Sequence, residues 1–171
     1  MDYFRDDFHF WLQYGSLELE GTGGNLELAE NYLNQAFSLR PNSGIVRNAL
    51  AHLYYKKSLE ASSKTEADRL KEEADHILIE LMRDKYTNDP YTYHIFGKGY
   101  YNWILQWLNG RLPIRKALQD LEKIVKEGSD MYPNNKRLKE LKEVIFKAIL
   151  MTAVENEEIK YPILYSEFEV N

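Results

Sequence analysis

Four histidines are the side chains of this sequence best suited to proton transfer or metal binding near neutral pH. They stand at His9, His52, His76 and His94, far apart. No H-x₃-H or H-E-x-x-H pair places two imidazoles on one helical face, so they read as ordinary polar histidines rather than as a ligand set. Cysteine is absent, which excludes disulfides, thiol catalysis and Cys-ligated zinc. No P-loop, G-x-S-x-G or dinucleotide-binding glycine motif occurs. The run Gly21-Thr22-Gly23-Gly24 follows a helical pattern and lacks a lysine, so it reads as a helix stop with glycine in the left-handed C-terminal position. The densest cationic run, Lys136-Arg137 with Lys139 and Lys142, is offset by Glu140 and Glu143. These patterns point to a protein without catalytic machinery, metal or cofactor.

The 171 residues suffice for one domain with a sizeable core, and 44% hydrophobic with 29% charged residues is ordinary for a globular chain. The net charge of −5 argues against nonspecific nucleic-acid binding, which needs a cationic surface. No apolar run approaches the ~20 residues that span a bilayer. The stretch from Met1 to Asp7 is acidic and aromatic, unlike a signal peptide. A cytoplasmic protein is the expectation. Thirteen tyrosines, seven phenylalanines and three tryptophans suit half-exposed packing and binding surfaces.

The elements that must position these residues are helical. Phe4, Phe8, Trp11 and Leu12 form the apolar stripe of a first helix from about Asp2 to Glu20. Asn25 caps a second, Leu26 to Leu39. Pro41-Asn42-Ser43 opens a third, ending near Ala61. Thr65 caps a fourth, reaching about Asp84. Asn88-Asp89-Pro90 starts a fifth, which Asn109-Gly110 stops near Leu108. Pro113 opens a sixth that ends near Gly128, and a seventh runs from about Asn135 to Glu155. Only the tail, Tyr161 to Val170, has weak strand character. The aromatic cluster Tyr100, Tyr101, Trp103, Trp107 and Leu108 is expected in the core.

Small residues recur where paired helices must touch. Gly15, Ala51 and Gly97 occupy matching places in helices one, three and five. Ala29 and Ala36, then Ala74, then Ala117 do so in their partners. With Trp11, Tyr54, Tyr93, Phe96, Tyr100 and Pro41, this layout resembles the tetratricopeptide repeat (TPR) family over roughly residues 8 to 133. Glu18 departs from the family's tyrosine slot and Arg47 from its tryptophan slot. Gly15 and Ala51 are 36 residues apart and Ala51 and Gly97 are 46 apart, against about 34 for the family. The excess is read as two lengthened helices meeting at Ser62-Ser63.

The resemblance implies an all-α, right-handed superhelix of antiparallel helix pairs. It would have about three repeats in residues 1–155, helix seven as a solvating cap, and an irregular tail in 156–171. It also implies a concave face lined by the first helix of each pair. The matching positions are His9, Leu12 and Ser16; then Asn48, His52, Tyr55 and Lys56; then Tyr91, His94, Lys98, Tyr101 and Asn102. This set is polar and slightly basic, so the expected partner is a protein or peptide segment, acidic in character. Lysine and arginine are missing from the slots with which some TPR proteins clamp a terminal carboxylate. The stretches Phe8 to Gly15 and Leu28 to Ala36 also resemble repeats at the ends of large bacterial signalling NTPases, including defence sensors. That resemblance implies a sensor or regulatory role within such a protein.

Overall fold

Capping side chains set where most of these helices begin. Asp7 accepts the N–H groups of His9 and Phe10 at 2.9 and 3.1 Å, so α1 spans Phe8–Glu20 and does not start near Asp2 as its stripe suggested. Asn25 does the same for Glu27 and Leu28 at the start of α2, Leu26–Leu39. The third helix, α3, is Gly44–Glu60. Ser63, not Thr65, caps α4, Lys64–Arg83, by accepting the Glu66 N–H. Asp89 and Pro90 open α5, Pro90–Trp107. The sixth, α6, is Ile114–Met131, and Asn135 caps α7, Lys136–Met151.

The computed structural model describes residues 6–110 and 113–152. Among them the structure is all-helical, without strands, and no helix is long and apolar enough to cross a membrane. The expected domain boundary at 155/156 and the strand-like stretch at 161–170 lie outside the described residues.

Two compact units, Met1–Thr87 and Asn88–Asn171, make up the chain. In the first, α1 packs on α2, α2 on α3 and α3 on α4. Phe8, Leu19, Leu33, Val46, Leu50 and Leu53 form its core with Ala29 and Ala36, and Trp11, Leu12 and Tyr54 pack at the margin. Gly15 lets α1 approach α2, since a Cβ there would lie 2.7 Å from Leu33 Cγ. The turn between them is closed by Glu18, whose carboxylate accepts the Asn25 N–H at 2.9 Å. The left-handed residue of that turn is Gly23, at φ 79°, while Gly21 at φ −67° is ordinary. Lys57 of α3 pairs with Glu30 of α2 at 2.6 Å and Arg47 of α3 with Glu80 of α4, so ion pairs tie α3 to the helix on either side of it.

In the second unit α5 packs on both α6 and α7. A Cβ at Gly97 would meet Leu141 of α7 at 2.4 Å and Val125 of α6 at 2.8 Å. Gly128, expected as a helix stop, lies inside α6 and is buried under Tyr93, whose Cγ would be 2.6 Å from a Cβ at that position. The glycine serves close approach, so the helix runs on to Met131. Of the aromatic cluster expected in the core, Tyr101, Trp103 and Leu108 are buried, while Tyr100 and Trp107 are half-buried. On α7, expected as a solvating cap, Phe146 and Leu150 are exposed beside Lys139, Glu140 and Lys147.

Candidate partner-binding faces

The α3 stripe that faces the core, Val46, Leu50 and Leu53, leaves Asn48, His52 and Tyr55 on another side of the helix. The structure buries all three, at 5%, 9% and 2% exposure. Tyr55 is placed in the seam with α4, where its hydroxyl donates to Asp75. Lys71, one turn earlier on α4, pairs with the same carboxylate. Burial raises the Asp75 pKa above the ordinary carboxylate range, against the opposing pull of Lys71 and the two hydrogen bonds. Lys56 is half-buried and donates to the Leu19 carbonyl at the end of α1, where helical carbonyls lack intrahelical partners. Its burial lowers its pKa, with Glu20 and Glu60 working the other way. On α1 itself, His9 is exposed, Ser16 is half-buried and Leu12 packs against the core.

A second face lies on α5. Asn88 donates to the Tyr93 hydroxyl at 3.1 Å, Tyr93 donates to Glu127 at 3.1 Å, and Tyr132 donates to Asn88 Oδ1 at 2.6 Å. This chain of bonds ties the start of α5 to the end of α6. One turn on, His94 is 7% exposed. Its pKa is lowered from 6.5 to about 4, first by burial and then by the like charges of Lys98 and Arg137. His94 is therefore a neutral imidazole at pH 7. Tyr101 is fully buried, Lys98 and Asn102 are half-buried, and Tyr91 is exposed at the helix start.

The residues expected to line a polar surface thus divide. Asn48, His52, Tyr55, His94 and Tyr101 are withdrawn from water, and His9, Ser16, Lys56, Tyr91, Lys98 and Asn102 keep part of their surface. Sequence reasoning missed Asp75, although the Lys71–Asp75 spacing of four was a legible signal. It also missed Glu127 and Tyr132, whose roles rest on contacts 34 and 44 residues distant.

Among the described residues, no three His, Asp or Glu side chains gather in a way that could hold a metal ion. A shallow depression on α6 is lined by Lys123, Lys126, Glu127, Asp130 and Met131, all from one helix, and so encloses nothing.

What the described residues define is an all-α arrangement in which helices adjacent in sequence pack on one another within each unit. No family model, curated protein or solved structure matches the chain.

Proposed function

We propose that this chain is a noncatalytic protein-binding module built of TPR-like helix pairs. In this reading, acidic partner segments are bound on the first-helix faces. The carrying observation is the fit of small against large at matching places: Gly15 against Leu33 in the first unit, and Gly97 against Val125 and Leu141 in the second. Such contacts let helices pair closely and expose a first-helix face in each unit. On α5 that face offers Tyr91, Lys98 and Asn102 around a neutral His94. A cation, an amide and a phenol at helical spacing can hold a carboxylate and the backbone beside it. On α1 and α3 the accessible groups are His9, Ser16 and Lys56. Asp75 is held by Tyr55 and Lys71, a role that ties α3 to α4 and supports the noncatalytic reading.

The test is titration of a labelled Glu-rich amphipathic peptide, read by fluorescence anisotropy. Lys98→Glu combined with Tyr91→Ala is expected to weaken binding about tenfold or more, the equivalent of one charge-assisted contact. Equal affinity of wild type and variant would overturn the reading.

A further inference from the structure

The first helix pair carries charge of one sign. From Asp6 through Leu39 the acids are Asp6, Asp7, Glu18, Glu20, Glu27 and Glu30, and the stretch contains no Lys or Arg. The same pair displays large apolar side chains. Tyr14 is 45% exposed, Leu17 60% and Leu28 40%. They share one strip. Tyr14 meets the Tyr32 ring at 6.0 Å, Leu17 lies three residues after Tyr14, and Leu28 lies four before Tyr32. Tyr32 in turn stacks on Trp11 at 5.8 Å, and Phe10 packs on Tyr14 at 4.6 Å, which holds the strip's rings in place. A contiguous apolar strip across two helices, edged by acids, is a surface made to be covered by protein.

The charge selects the cover. A second copy of the chain joined through the same strip would set Glu20 and Glu27 against acids, while the nearby cations are already engaged, Lys57 with Glu30, Lys56 with the Leu19 carbonyl and Arg40 on Phe8, so the isologous contact is costly. An anionic membrane surface is disfavoured for the same reason. We infer that the α1–α2 strip docks a cationic amphipathic helix from another protein, with aliphatic anchors at i, i+3 and i+4 spacing and Lys or Arg on its flanks. Its anchors would cover Tyr14, Leu17 and Leu28, and its cations would face Glu20 and Glu27. This site is separate from the α5 face and takes a partner of the opposite charge.

The full chain would be titrated with a labelled synthetic helix of Leu and Lys in amphipathic order, and with a peptide of the same composition in scrambled order. The ordered helix is expected to bind at least about tenfold more tightly than the scrambled one, since only it aligns its anchors. Tyr14→Ala with Leu17→Ser should weaken binding about tenfold. Glu20→Gln with Glu27→Gln should weaken it several-fold and flatten its salt dependence, and leaves the apolar strip intact should the first variant lose helix. Lys116→Gln, on the exposed side of α6, should leave it unchanged. Equal binding of ordered and scrambled peptides, insensitivity to both double variants, or no binding at all would overturn the inference. So would a wild-type dimer that Leu17→Ser dissolves, because that would make a second copy the occupant.

Discussion

In the first unit a half-buried carboxylate, Asp75, is set between the Tyr55 hydroxyl and the Lys71 ammonium; in the second a buried imidazole, His94, is set against Lys98 and Arg137. Asp75 is flanked by Lys71 and the Tyr55 hydroxyl, which favour its charge, while burial and, to a lesser degree, Glu72 work against them. His94 is surrounded by charges of the sign it would itself acquire, so burial and neighbours act together. The first arrangement holds two helices together. The second keeps a side chain neutral. The units differ in packing as well. The first closes its α1–α2 contact with one glycine against one leucine, whereas the second uses glycines on both α5 and α6, against three side chains.

Acid should separate the two units most strongly. The folded His94 pKa of about 4 lies below the 6.5 of the unfolded chain, so the unfolded state takes up the proton first. The stability tied to this neutral imidazole is full above pH 6.5 and is lost as pH falls towards 4, by about 3 kcal/mol. Urea unfolding across this range, followed through Trp103 and Trp107, should show the loss, and His94→Gln should remove it. A flat profile in the wild type would break the contrast. Asp75 acts with the opposite sign. Its raised folded pKa means that the folded state binds the proton first, so its contribution rises as pH falls through that raised value.

Gly128→Ala comes next in size. The new Cβ would lie 2.8 Å from Tyr93 Cβ, an atom next to the main chain, in a ring already held by Asn88 and Glu127. Overpacking should outweigh the helix propensity gained by alanine and cost about 2 kcal/mol by chemical denaturation. Gly97→Ala should cost about 1 kcal/mol, because it meets the ends of Leu141 and Val125, which can give a little, but on two helices at once. Gly15→Ala meets the single side chain of Leu33 and its backbone N, and should stay within about 1 kcal/mol of wild type. A reversed order among the three glycines would refute the account of how each unit is packed. Smallest of all is the exposed pair Lys116–Asp120, whose removal should leave the urea midpoint unchanged in a double-mutant cycle.

The sequence by itself determined the helices, their order and most of their ends, because apolar period, caps and prolines are local signals. It also determined the small residues at Gly15, Ala29, Ala36, Ala51, Ala74 and Gly97, all of which are buried. Local signals failed where one residue type has two uses. Gly128 reads as a stop, and only the Tyr93 ring across from it makes it a contact. Glu18 reads as a defect in a repeat until the turn brings the Asn25 N–H within reach. Tertiary structure alone decided which polar side chains leave the water. Asn48, His52 and His94 have the composition and spacing of a solvated face, and nothing in their own helices distinguishes them from Lys98 or Asn102. Burial and the approach of charges distant in sequence, such as Arg137 near His94, are set by packing, and that is why the protonation state of His94 could not be read from the chain.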